Sequence, residues 1–463
     1  MRLTLLVGVL LGAAGPQSPA LGTRVAPPAG GGEPTLGELL QRIESLEGDK
    51  ATMQGAIDEL RIQLGDNWLT EHRAQEIRAI VGDVLADADT RASLLQDEMT
   101  AGWSNHFFLA SPDGRFRLQL EGQMQFRWVW SFHDEADRHK NGFELTRTKL
   151  GFRGHLFNRD LTYFVRGVFS REGGDLVLED AWVRYHLDDR FSLRFGQFKL
   201  PFNREQLVSS ARQLAVERSL VNQSHNIGRS QGLELMYLDG PTRINVAVSD
   251  GGTDNVAGGV FVQSNPLNSP ALADGLAEFA VTARIESLLK GSWEQFDDFT
   301  SPPGEASGLL LGAAVHFHSG ESGSALDEDE WYAVTADASF EWAGANAFAA
   351  FSYHFIDDPT FGEVNTWGLV LQGGAFFSSK FEAFARFEFG SLDFDFLPTT
   401  DLMVVTVGGN YYFDGHDLKL TADIGVGIDI VDFAWDSDIA GWRIDADGAE
   451  PQVVSRVQFQ MLF

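Results

Sequence analysis

The sequence predicts an all-β transmembrane barrel of about 16 antiparallel strands, preceded by an α-helical, coiled-coil segment. Three observations predict it. From Phe107 onward apolar and polar residues alternate with a period of two, in runs longer than soluble strands usually reach. The polar faces of these runs carry many charged and glutamine side chains, whereas a small soluble barrel fills its interior with apolar ones. The chain also ends on such a strand, with Phe463 as its last residue.

The N-terminus reads as an exported leader. Arg2 supplies a positive charge, Leu3 to Ala14 a short apolar run, and Ser18-Pro19-Ala20 a small-residue cleavage site, giving a signal peptide over 1–20. That run is too short to span a bilayer, and no later stretch reaches the ~18 consecutive apolar residues a spanning helix needs. Membrane residence then requires a barrel, because only helices and closed barrels satisfy every backbone polar group in lipid.

Residues 21–35 are Pro/Gly-rich and read as a linker. Over 36–65, Leu36, Leu39, Ile43, Leu46, Lys50, Met53, Ile57, Leu60 and Leu64 fall on alternating three- and four-residue steps. Such a seam predicts a coiled coil, with one amphipathic helix lying on the barrel as the alternative. A second helix and linker are expected over 66–104, from the apolar face of Ile77, Ile80, Val81, Val84 and Leu85. The barrel is expected over 105–463.

Within the barrel, Phe116, Leu118, Leu120, Gly122, Met124, Phe126, Trp128 and Trp130 alternate with Arg115, Arg117, Gln119, Glu121, Gln123, Gln125 and Arg127. The same alternation returns down to the final strand, where Val453, Val457, Phe459, Met461 and Phe463 oppose Arg456, Gln458 and Gln460. Asp239-Gly and Asp414-Gly read as tight turns; 251–275, 319–329 and 431–450 read as long polar loops. Trp128, Trp130, Trp331, Trp342, Tyr411 and Tyr412 are expected in interfacial girdles.

Composition excludes several functions. There are no cysteines, hence no disulfides, thiolate catalysis or Cys-ligated metal. A net charge of −31 argues against nucleic-acid partners. No metalloprotease, phosphate-binding or nucleophile-elbow motif is present, so no catalytic residue, cofactor or metal site is expected. His316 and His318 share a strand face but fall short of a metal site.

At 146–154 (TRTKLGFRG), 179–185 (EDAWVRY) and 196–220 (GQFKLPFNREQLVSSARQLAVERSL) the sequence resembles the phosphate-selective porin O and P family. The resemblance implies a sixteen-stranded homotrimeric porin of the outer membrane, passing small solutes with anion preference. It also implies that the segment after the fifth strand, Pro201 to Gly228, folds inward to narrow the pore. Lys199, Arg204, Arg212, Arg218 and Arg229 are then the constriction residues.

The parity of the first five strands places Arg115, Arg117, Arg127, Arg147, Lys149, Arg153, Arg166, Arg184 and Arg194 toward the lumen. A row of guanidinium groups can pass an anion from site to site, although solvated, unselective charges are equally consistent with parity. Later strands put Glu382, Glu388, Asp423 and Asp429 inward, which predicts an acidic wall facing a basic one. Two other functions remain open: an envelope tether, with the N-terminal helices periplasmic and the cell wall as partner, and an outer-membrane barrel enzyme.

Overall fold

The structure, a computed structural model, describes residues 36–64, 99–132, 139–252, 278–322, 327–358, 362–395, 398–429, 431–432, 435–444 and 451–463. The expected signal peptide over 1–20 and linker over 21–35 lie outside them, as do residues 66–98 of the expected second helix and linker. The chain divides into two units, Met1–Arg91 and Ala92–Phe463.

In the first unit, α1 spans Leu36–Leu64. Its described large apolar side chains, Leu40, Ile43, Leu46 and Met53, are all exposed. Of these, Ile43, Leu46 and Met53 sit on the heptad seam.

The second unit opens with a hairpin of β1 (Thr100–Ser104) and β2 (His106–Ala110). Thr100–Ser104, expected in a linker, is therefore strand: its residues pair across Asn105, one of the few types that tolerates a left-handed backbone (φ 59°). The barrel follows. Its strands are β3 (Arg117–Phe132), β4 (Lys140–His155), β5 (Leu161–Phe169), β6 (Leu176–His186), β7 (Phe191–Lys199) and β8 (Arg229–Asp239). They continue with β9 (Thr242–Ser249), β10 (Phe279–Lys290), β11 (Gly308–Ser322), β12 (Asp327–Trp342) and β13 (Ala345–Asp358). The last five are β14 (Gly362–Phe376), β15 (Phe381–Phe394), β16 (Thr400–Asp414), β17 (Leu418–Gly427) and β18 (Val453–Leu462).

Each strand from β3 pairs antiparallel with the next, and β18 returns to β3 with Val457 opposite Trp128 and Phe459 opposite Phe126. The ring closes at 16 strands, leaving no free edge. Phe463 completes the seam. Its N–H donates to the Gly122 carbonyl at 3.1 Å and its carbonyl accepts from Gly122 N–H at 2.7 Å. Its ring lies where a side chain at Gly122 would be, so any larger residue there would have to displace the Phe463 ring.

Burial is inverted relative to a soluble protein. Phe126, Val165, Phe195, Leu233, Val315, Phe351, Val407 and Ile424 are exposed. Gln125, Arg127, Glu234, Asp337, Glu382 and Arg456 are buried. With apolar side chains outward at about 25 cal/mol per Å², this surface is unfavourable in water and at home in lipid.

Three expectations are corrected. Trp331 and Tyr412 point inward rather than into a girdle: Trp331 packs on His316, His318 and His354, and the Tyr412 hydroxyl donates to Glu382 at 2.6 Å. Trp342 and Tyr411 are exposed, as a girdle requires. The supposed loop over 319–329 is mostly strand, with Gly320 paired to Asp329 and Ser322 to Asp327. Asp429 lies past the end of β17 and is exposed, because the alternation there outruns the ladder.

Candidate functional site

Two kinds of connection alternate round the barrel. At one rim the turns are short, as at 240–241, 343–344 and 415–417; 291–307 is the long exception. At the other rim, residues 200–228 link β7 to β8, the fifth and sixth barrel strands, and turn into the lumen. This segment carries α2 (Arg204–Leu207) and α3 (Leu220–His225). Ser219 caps α3 by accepting from Asn222 N–H at 2.9 Å. Glu205 holds the cap in place, accepting from Ser219 N–H at 2.7 Å and from its hydroxyl at 2.6 Å.

A buried loop must find partners for its backbone. Here the later strands supply them. Lys419 donates to Gln213 O (2.9 Å), Asn410 to Leu214 O (2.9 Å), Gln460 to Ala211 O (2.9 Å) and Arg386 to Glu217 O (2.8 Å). In the opposite sense, Val216 N–H donates to Asp423 (3.0 Å) and Leu220 N–H to Glu388 (2.5 Å). Phe202, Leu214, Leu220, Val221 and Ile227 pack with Trp331, Val370, Leu392 and Trp435 into an apolar cluster inside the barrel.

The loop is latched across to the early strands by one carboxylate. Glu217, 2% exposed, accepts from Arg147 at 2.7 and 2.8 Å and from Arg127 at 2.8 Å. Burial alone would raise its pKa, but Arg147 and Arg127 outweigh burial and hold the carboxyl down to about 2. In α3, burial lowers the His225 pKa to about 4, which keeps the ring neutral.

The later wall is thus occupied, and the free space runs along the early one. A cavity of about 1770 Å³ is lined mainly by β3–β9 and by the near side of the loop. Its lining reaches from Arg190, Asp414 and Asp417 at the short-turn rim to Ser170 and Arg171 at the other. Sixteen Arg and Lys line it, against nine Asp and Glu, in a chain that is strongly acidic overall.

Of the residues expected to line the pore, Arg117, Arg147, Lys149, Arg153, Arg166, Arg184 and Arg194 border this cavity. Arg115 and Arg127 do not. Arg115 lies ahead of β3 on an exposed turn, bonded to Phe157 O. Arg127 is buried against Glu144, Glu217 and Ile439 O. Parity gives a side chain's direction, not its depth, and so missed both.

All five expected constriction residues border the cavity, yet most are braced. Lys199 donates to Gln206 O (2.6 Å), Arg218 to Glu205 O (2.9 Å) and Val208 O (2.8 Å), and Arg229 to Asp180 (3.0 Å). Arg204 is buried on Ser339 and Phe296 O, whereas the Arg212 side chain is 43% exposed and meets Asp297 at 3.4 Å. The predicted acidic wall needs correction too. Glu388 and Asp423 spend their oxygens on loop N–H groups and on Arg386 and Arg456, and Glu382 is held by Tyr412, Asn410 and Asn346.

Sequence parity did not assign Arg171, Arg190, Arg243 or Arg284, which also line the cavity. On β6, Trp182 alternates in step with Asp180, Arg184 and His186, which marks it as an inward aromatic.

Residues 118–273 match the family described as phosphate-selective porin O and P. Over these residues, about a third of the chain, the barrel is similar to that family. A protein of Aquifex aeolicus (strain VF5), described only as uncharacterized, is 22% identical over 300 residues, 59% of this chain and 68% of its own. Among solved structures, an anion-selective porin from Comamonas acidovorans superposes with a TM-score of 0.50 at 13% identity, covering 75% of this chain and 99% of that one. The outer membrane channel DcaP of Acinetobacter baumannii has a TM-score of 0.49 at 14% identity, covering 78% of this chain and 100% of its own. At 13% identity the first of these superpositions bears on fold alone. The family match spans β3 to β9, the strands that bound the basic cavity.

Proposed function

We propose that this porin is a passive, anion-preferring channel of the outer membrane, acting without catalysis or cofactor. One observation carries the proposal: the space left beside the inward loop runs from rim to rim along a net-basic wall. A passing anion meets Arg117, Arg153, Arg184 and Arg194 grouped toward the short-turn rim and Arg166 farther in, while paired carboxylates such as Glu121 and Glu234 keep the attraction shallow. The near side of the loop, with Arg212 exposed, sets the narrow zone.

The test is the reversal potential of the purified porin in a planar bilayer under a salt gradient. Anion preference is expected. Cation preference would reject the basic wall as the selecting surface.

We also infer a homotrimer joined in part through α1. The exposed seam residues Ile43, Leu46 and Met53 would be covered by the same face of two further copies. Native mass measurement of the full chain beside an Ile43→Lys variant tests this; equally stable trimers would remove α1 from the assembly.

A further inference from the structure

We propose that Arg184, Arg194 and Trp182 form a binding station for a planar aromatic carboxylate, so that this anion class, rather than inorganic phosphate, is the solute the wall retains best. The proposal rests on the channel function and narrows its solute.

The geometry has two halves. The first is charge. Arg184 and Arg194 stand directly opposite each other on β6 and β7, both bordering the cavity. Like charges in direct register destabilise a sheet. Arg194 is relieved by Glu234, whose other oxygen accepts from Asn245 at 2.7 Å. No ion pair forms at Arg184 among the described residues, and the Nε of each arginine lacks a hydrogen-bond partner. The neighbouring cation, Arg243, is paired with Glu286 at 3.2 Å. One negative group set between the two guanidiniums would satisfy them both.

The second half is apolar. Trp182 turns inward beside the pair, its ring centre 5.0 Å from the Arg184 guanidinium carbon and 5.6 Å from that of Arg194. Phe164 lies 5.7 Å from it, tilted by 51°. Opposite Trp182 stands Gly196, whose backbone (φ 123°) and close approach to the β6 backbone exclude a side chain. A wall built only to pass small hydrated ions gains nothing from an inward indole. A wall that holds a ring by its face and a carboxylate by its charge gains from both.

Inorganic phosphate fits less well. The lysines farther along the wall are engaged, Lys149 by Glu179 (2.5 Å) and Lys199, five residues beyond Arg194 on β7, by Gln206 O. Phosphate would take up the charge and leave the aromatic surface unmatched.

The experiment is block of single-channel chloride current through the full-length porin, titrated with benzoate, cyclohexanecarboxylate, acetate and phosphate. Benzoate is expected to half-block at about tenfold lower concentration than acetate or phosphate, the scale of one aromatic contact, with cyclohexanecarboxylate between. Trp182→Leu should collapse the benzoate-to-acetate ratio toward one; Trp182→Phe should keep most of it. Arg184→Gln should weaken all four. Equal block by benzoate and acetate in the unaltered protein, or tighter block by phosphate, overturns the proposal even if Trp182→Leu fails to assemble. Absence of any chloride current would instead remove the channel function on which it rests.

Discussion

The two halves of the lumen wall start from the same pattern and end with opposite employment. Both β3–β9 and β10–β18 alternate apolar outside with polar inside. On the later strands the inward polar groups are spent on the loop: Asp423 and Glu388 take its N–H groups, and Lys419, Asn410 and Arg386 take its carbonyls. On the early strands all the inward arginines but Arg127 stay at the cavity. An identical alternation therefore encodes a loop socket on one side and a solute path on the other. Charge sign alone does not distinguish them; what does is whether a buried backbone stands opposite.

The sharpest way to break this division is to cut the latch between the halves. Glu217→Ala leaves Arg127 and Arg147 buried without that carboxylate, and breaking a buried pair costs ~3–5 kcal/mol. The loop should loosen from the early wall. Larger, noisier single-channel conductance and faster proteolysis within 200–228 are expected. Unchanged conductance and cleavage would mean that the later wall holds the loop alone.

Acid should act on the same latch. Glu217 is held at about 2 against an ordinary value near 4.5, so its contribution is fully present above about 4.5 and is lost as pH falls toward 2. For this buried group the shift corresponds to roughly 3 kcal/mol. His225, held neutral with a pKa near 4, adds a penalty that grows as pH drops from about 6.5 to 4, because only the released ring is readily protonated. Loop mobility, followed by proteolysis or conductance noise, should thus rise in two steps on acidification. In Glu217→Gln the lower step should vanish.

A comparable loss is expected on the outside of either half. Val315 is exposed on β11, and Val315→Lys puts a charge toward lipid at ~2–4 kcal/mol if near the midplane. Denaturant midpoints of the refolded barrel measure it. The cost should be alike for Val165→Lys on β5, since the halves differ inside and not outside.

The barrel was legible in the sequence because period-two alternation states which residues share a face, and the inverted burial follows once that face meets lipid. The inward segment was legible only through family resemblance; nothing in 201–228 taken alone says that Glu217 will reach Arg127 and Arg147. Tertiary partners were the illegible part. Parity put Glu388 and Asp423 inward correctly but could not show the loop lying over them. Nearness to strand ends, not parity, sent Trp331 and Tyr412 to a girdle; Trp331 shares its face with Thr335 and Asp337, and Tyr412 with Asn410. Strand ends failed where polar residues continue the ladder, as at Gly320 paired with Asp329.

The smallest expected effect separates the walls most cleanly. A unit charge about 8 Å from a passing ion is worth ~2 kcal/mol at an effective dielectric constant near 20, and less once salt screens it. Arg184→Gln removes such a charge from the open wall, so the reversal potential should move toward cation preference, more at low salt than at high. Glu388→Gln removes one from the occupied wall, where Arg386 and the α3 backbone already enclose it. It should leave the reversal potential in place while loosening the loop. If the two substitutions shift the potential equally and oppositely, both walls face the solute, and the division between socket and path does not hold.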